Sequence, residues 1–409
     1  MSPRPKNGDA TMPQEKTERA VLKPDKPDWR PVIAISLSTF AVVTTEMLPV
    51  GLLTPMAASL GSSVGAAGLA ISLPALLAGL FAPCVLVVSG GVDRRRILVG
   101  LLSLLVLANL ACAVAPSIGW LLAARILVGF CMGGVWAIAG GLAPRLVPQP
   151  SQGLATAVIF GGVAAASVLG VPLGVIIADM VDWRTAFGAM AAFSGFVLAL
   201  NLWTLPPLPV QQAVRPRQFV DLLARPSIRL GLGLTALLVA GHFTAYTFVR
   251  PLLQTLSGVP SQWIGMLLFA YGAAGVTGNF MVGGLAARQI SATLILISGV
   301  LTSTLFAFYL MGTTASVGAL VLILWGLAYG GVSVALQTWM MRSAPDAIEV
   351  ATSLFVAVFN LAIALGSLLG GQAIDRLDLA TSVLLAGVLT TIALGLALVT
   401  RTYPAHDIL

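Results

Sequence analysis

The chain has 409 residues, 58% of them hydrophobic and only 9% charged, with a mean hydropathy of +0.97. A water-facing surface takes roughly 25% charged residues, so the composition excludes a soluble globular protein and leaves lipid to cover the chain. The net charge of +7 is gathered in a tail and a few short arginine clusters, a distribution that argues against nucleic acid as a partner.

In chain order, residues 1–30 come first as a polar tail. Arg4, Lys6, Lys16, Arg19, Lys23, Lys26 and Arg30 alternate there with acids and prolines, and every lysine of the protein lies in it. Such a segment buries too little apolar surface to order itself and has no cleavable signal pattern, so it reads as a disordered cytoplasmic tail. Apolar runs long enough to cross a bilayer, each about 20 residues, then fall near 31–56, 67–90, 97–115, 120–143, 153–178 and 185–205. A polar linker, 206–229, carries Arg215, Arg217, Arg225 and Arg229. Six further runs lie near 230–250, 262–285, 292–312, 317–340, 350–372 and 381–400, before a short cytoplasmic tail, 401–409. The expected fold is all-α and membrane-integral, with twelve spans in two six-helix bundles, 31–205 and 230–400.

Arginine placement sets the orientation. With the first tail inside, Arg94, Arg95, Arg96, Arg145, the linker, Arg288, Arg342 and Arg401 are inside too, and only Arg184 and Arg376 fall in outer loops. That is the positive-inside pattern, and it puts both termini in the cytoplasm. The halves also repeat. Thr54-Pro55 and Leu60 match Arg250-Pro251 and Leu256 at an offset of 196; Asp179 and Asp182 match Asp375 and Asp378 at the same offset. Gly90-Gly91 matches Gly283-Gly284, and Gly133-Gly134 with Arg145 matches Gly330-Gly331 with Arg342. Two repeated bundles about a basic linker make a pseudo-symmetric transporter layout.

Few residues inside the spans carry chemistry. Glu46, in the first span, is one of two acids between Trp29 and Asp179; the other is Asp93. A carboxylate at that depth is costly, so it faces a cavity or a partner, which suits proton coupling or substrate binding; a paired helix-packing carboxyl is the alternative. Arg125 opens Arg125-x-x-x-Gly129-x-x-x-Gly133 on one face of the fourth span. Its expected partner is Glu46, directly or in alternation with substrate; otherwise it ties down a helix end. His242 holds the place of Glu46 in the second half and shares a face with Tyr246 and Arg250. Trp325, Tyr329, Ser333 and Gln337 repeat that spacing in the tenth span. With Trp136 and Asn360, these side chains are candidate substrate contacts, and Tyr246, Trp325, Tyr329 and Asn360 are expected to face one aqueous space. The cluster Asp93, Arg94, Arg95 and Arg96 suits a charge clamp at a gate, and Gly170, Pro172 and Gly174 mark a bendable fifth span. Cys84, Cys112 and Cys131 have no metal or redox spacing. A phosphate-binding loop and a nucleophile elbow are also missing, so neither ATP hydrolysis nor another enzyme activity is expected.

These residues resemble the major facilitator superfamily, in particular its twelve-span drug:proton antiporters. Asp93-Arg94-Arg95-Arg96 resembles the signature between the second and third spans, with Ser89 where a glycine is usual. Arg125-x-x-x-Gly129 is similar to the fourth-span motif, and Gly170-Val171-Pro172-Leu173-Gly174 to a shortened fifth-span antiporter motif. Glu46 to Met56 resembles the first span of bacterial purine ribonucleoside efflux pumps. His242 to Tyr246, and Ala344-Pro345-Asp346-Ala347 leading to Asn360, look more like sugar efflux transporters. The resemblance implies proton-driven export of a sugar, nucleoside or drug from a bacterial inner membrane. It further implies a monomer that uses the proton gradient and no bound cofactor, with Glu46, Arg125, His242, Tyr246 and Asn360 in the cavity. Uptake or uniport by the same fold, or a membrane protein without transport, are the competing readings.

Overall fold

A computed structural model describes residues 28–88, 92–139, 142–209, 216–286 and 288–401. The lysine-bearing part of the tail, Ser89, Gly90 and Gly91, the linker arginine Arg215, and His406 lie outside the described residues.

Among the described residues, twelve helices are long and apolar enough to cross a membrane. With no water to pair with the backbone in lipid, an isolated span must satisfy its own amides, and a helix does so. The first six spans are Arg30–Leu60, Val64–Val88, Arg94–Ala113, Ile118–Ala139, Leu154–Met180 and Trp183–Thr204. The last six are Pro226–Tyr246, Ser261–Ala286, Ile290–Met311, Ala315–Ser343, Ile348–Arg376 and Leu379–Val399. Each coincides with an expected run to within a few residues.

Burial follows the repeat. The first and seventh spans are each 72% buried, whereas the third, sixth, ninth and twelfth are only 33%, 39%, 44% and 39% buried. The first and seventh are therefore central; the third, sixth, ninth and twelfth pair off at the outside of each half, and the fifth and eighth, 35% and 39% buried, keep as large an unburied side although they meet each other. The third packs on the sixth and the ninth on the twelfth. Asp182 and Asp378, matched in sequence, do one job twice: each caps its following span by accepting the amide of Thr185 or Thr381 at 2.7 Å.

The two halves meet along three seams: the second span on the eleventh, the fifth on the eighth, and the first beside the end of the seventh. Glycine permits the closest approaches. A side chain at Gly65 would strike Gly371 and Asp375, and one at Gly79 would strike Ala357 and Leu361.

Candidate functional site

Two prolines shape this part of the first half, Pro49 in the first span and Pro74 in the second. A proline in a helix has no N–H for the carbonyl four residues back. Pro49 thereby frees the carbonyl of Thr45, and Pro74 that of Ala70. Arg125, wholly buried in the fourth span, takes both: its Nη1 donates to Thr45 at 2.6 Å and its Nε to Ala70 at 2.7 Å, while Nη2 donates to the backbone carbonyl of Glu46 at 2.9 Å. The expected direct pair between Arg125 and the Glu46 side chain is thus not formed. The guanidinium binds the backbone on which Glu46 stands and acts on the carboxyl through space. Nor does Arg125 tie down a helix end; it staples the middle of the first and second spans. Glu46 is 4% exposed, its carboxyl accepts no hydrogen bond among the described residues, and it lies within electrostatic reach of Tyr329 in the opposite half.

The second half sets a column of rings at this level. His242 stacks on Tyr329, with centroids 3.3 Å apart, and on Tyr246 at 4.7 Å; Tyr246 stacks in turn on Tyr271 at 4.7 Å. The Trp325 indole donates to His242 Nδ1 at 3.0 Å. Trp325 is 0% exposed and packs edge-on to Phe308, so it stands behind His242 rather than facing an aqueous space as expected. Tyr246 and Tyr329 are half-buried, and the Tyr329 hydroxyl is a buried group without a partner. Tyr271, which the sequence reading passed over, belongs to the column; it is one of only five tyrosines in the chain, and that scarcity was its signal.

Other candidates fall elsewhere. Asn360 is buried in the eleventh span and donates to the carbonyl of Val356 on its own helix at 2.9 Å. It lies two turns from Ser367, which donates across the seam to Gly68. Trp136 packs on Phe160 inside the first half, apart from the ring column. The tenth span is interrupted at Gly331, and beyond that break Ser333 is exposed and Gln337 half-buried. Arg250 also leaves the face it was expected to share with His242, because the seventh span ends at Tyr246 and Arg250 sits in a new short turn, Val249–Pro251. It reaches the carbonyl of Gly51, the one freed by Pro55, at 2.8 Å, and the Asp179 carboxylate at 2.7 Å. Arg250 is a contact between halves, not a wall of the ring column.

Asp375, the repeat partner of Asp179, makes the second such contact. Its oxygens accept from Ser63 Oγ at 2.7 Å and from the Gly65 amide at 3.1 Å, capping the second span from the other half. These contacts lie at the end of the bundle opposite the described termini. Gly170, Pro172 and Gly174 are close by: a π-helical turn spans Ala166–Gly170, Gly170 lies against Thr44 and Gly174 against Leu48 of the first span, and the Pro172 carbonyl faces Gly265 of the eighth. The fifth span is wedged in the seam.

At the other end, Asp93 caps the third span through the Arg95 amide at 2.8 Å and also accepts the Leu208 amide at 3.0 Å; the Arg94 amide returns a bond to the Leu208 carbonyl. Arg95 donates to the Leu202 carbonyl, and Arg145 to that of Pro209. Desolvation raises the Asp93 carboxyl, but the Leu208 and Arg95 amides and the charges of Arg96 and Arg145 outweigh it and hold the group below its ordinary value. These bonds fasten the cluster to the segment after the sixth span, within its own half.

Comparison with known proteins agrees with this architecture. Residues 35–367 match the profile of the Major Facilitator Superfamily. The transcription regulatory protein OpdE of Pseudomonas aeruginosa is 34% identical over 347 residues, 84% of this chain and 86% of that one. The purine ribonucleoside efflux pump NepI of Salmonella paratyphi A is 32% identical over 346 residues, 85% and 87% of the two. Among solved structures, an inward-facing bacterial homologue of the human lysosomal transporter Spinster superposes with a TM-score of 0.74 at 16% identity, covering 91% of this chain and 96% of that one. Twelve spans, seams between repeated halves and a profile match over most of the chain agree: this protein belongs to the major facilitator superfamily of membrane transporters.

Proposed function

We propose that this transporter exports a small polar solute bearing a flat ring, a purine ribonucleoside or a close analogue, in exchange for protons, by alternating access between its halves. The observation that carries the reading is Glu46: a buried carboxyl at the seam, with no hydrogen bond among the described residues, held beside Arg125 and opposite the Tyr329 ring column. Ionisation at that depth costs at least about 2.5 kcal/mol on the insertion scale. Such a group is retained most readily where it titrates, so that protonation lets the seam close and deprotonation on the other side reopens it. Stacked tyrosines with an unpartnered hydroxyl suit a nucleobase, and the name of the efflux relative supports that class. The arginine distribution supports both termini in the cytoplasm of a bacterial inner membrane. The reading takes the chain as a monomer driven by the proton gradient, with lipid and solute as its other partners.

Transport in proteoliposomes tests this. Glu46→Gln should abolish solute movement driven by a pH gradient while equal-pH exchange of labelled nucleoside persists. If Glu46→Gln still builds a solute gradient as the wild type does, the proton carrier lies elsewhere. If solute moves in the direction of the proton rather than against it, the protein is an uptake symporter.

A further inference from the structure

His242 is 1% exposed and held on three sides. Tyr329 and Tyr246 lie over its two faces, and the Trp325 N–H points at Nδ1. A ring nitrogen that accepts a hydrogen bond keeps its lone pair, so the single proton of the neutral ring belongs on Nε2. Trp325 is a donor only, is itself fully buried, and is hemmed in by Tyr246, Tyr271 and Phe308. A doubly protonated imidazole would set two N–H groups against each other and leave the indole unsatisfied. The titratable groups around the ring are Tyr246, Tyr271 and Tyr329, with Glu46 beyond Tyr329; none of them is a cation.

We propose that Trp325 is a positioning residue that fixes His242 as a neutral imidazole with its proton on Nε2, making it a hydrogen-bond donor to a ring nitrogen or carbonyl oxygen of the stacked solute. The inference deepens the function proposed above and rests on it for the solute's class. It gives His242 a different task from Glu46: His242 distinguishes the solute and does not carry the proton. Stacking on the Tyr329 face turned away from His242 supplies affinity that any flat ring shares. A fixed donor supplies identity, because a solute lacking the matching acceptor leaves the buried N–H unpaired.

The chain has two histidines, His242 and His406. Full-length protein carrying His406→Gln, grown on isotopically labelled histidine and reconstituted in lipid, therefore gives one imidazole in its nitrogen spectrum. The expected spectrum has a protonated Nε2 and a bare Nδ1 from about pH 5 to about pH 8. A proton on Nδ1, or a doubly protonated ring within that range, overturns the proposal. Trp325→Phe keeps a ring and deletes the N–H. Both tautomers should then appear, and KM for the nucleoside should rise about five- to tenfold, the loss of one hydrogen bond, with kcat little changed. A deaza analogue lacking the acceptor should show a similar penalty in the wild type and none beyond it in Trp325→Phe. Unchanged tautomer and KM in Trp325→Phe would also sink the proposal, and if that variant does not fold, the wild-type spectrum decides alone. A wild type that shows the Nε2 proton but moves no nucleoside retires the purine reading and leaves the tautomer lock standing.

Discussion

Arg125 answers its own burial with backbone rather than with a counter-ion. Two of its three carbonyl partners, those of Thr45 and Ala70, stand four residues before a proline, so the arginine and the two prolines form one structural unit. Deleting the guanidinium strands both carbonyls, at about 1–3 kcal/mol for each buried group left unmade. Arg125→Ala should therefore destabilise the protein by roughly 2–5 kcal/mol in reversible unfolding in detergent. Pro49→Ala with Pro74→Ala gives each carbonyl an amide of its own, so adding Arg125→Ala to that background should cost clearly less. Additive costs in this cycle would show that the unit is not coupled. Scarcity of charge made Glu46 and Arg125 visible in the sequence, but scarcity alone suggested that they pair with each other. The signal that redirects Arg125 to the backbone was also in the sequence, as Pro49 and Pro74, and becomes readable only once the three spans are known to be neighbours.

At the scale of elements, hydropathy located all twelve spans because burial in lipid leaves a twenty-residue signal that no local detail erases. Breaks within spans leave no such signal. The turn after Tyr246 takes Arg250 off the face that an unbroken helix would give it, which is why the polar stripe of the seventh span ends before Arg250. The linker helix Pro216–Leu223 is anchored just after its end, where Arg225 meets Asp346 before the eleventh span in a two-pronged ion pair at 2.6 and 2.7 Å. The Arg225 hydrogen bonds hold the Asp346 carboxyl down at about 2, below its ordinary value of 3.8. A depressed carboxyl stabilises the fold above its unfolded value and loses that contribution as pH falls through its folded value. Linker anchoring should therefore be unchanged across any pH range in which transport is assayed and weaken only toward about pH 2, as read by hydrogen exchange over 216–225. The pair is exposed, so Asp346→Asn should leave global unfolding unaltered. It should nonetheless speed trypsin cleavage after Arg217, within the linker helix, at pH 8, where trypsin is active; unchanged cleavage would mean that the pair does not hold the linker.

Across the whole molecule, the repeat supplies one acid to each half at matching places, Asp179 and Asp375, and both reach into the opposite half at the same end. Their partners differ: an arginine and a proline-freed carbonyl on one side, a helix N-terminus on the other. Repetition thus made the acids legible in the sequence, whereas the asymmetric partners follow from which helix end each acid meets in this arrangement. In the proposed alternating-access cycle these bonds between the halves break when that end opens, so they weigh on the equilibrium between closed and open forms and little on the stability of either half. Removing one charge-assisted hydrogen bond should shift that equilibrium about tenfold toward opening, and removing both more, since the bonds are separate. Asp179→Asn and Asp375→Asn, alone and together, should lengthen the distance between spin labels at Gly61 and Gly258, exposed loop positions in opposite halves at this end. In the proposed orientation this end faces outward. A cysteine at Gly61 should then react with an impermeant reagent added outside whole cells, and one at Arg217 should react only after the membrane is opened. If the carboxamide variants keep the wild-type distance while still folding, the two acids cap helices without latching the gate; if Arg217→Cys labels from outside, the closed end faces the cytoplasm and the proposed orientation is inverted.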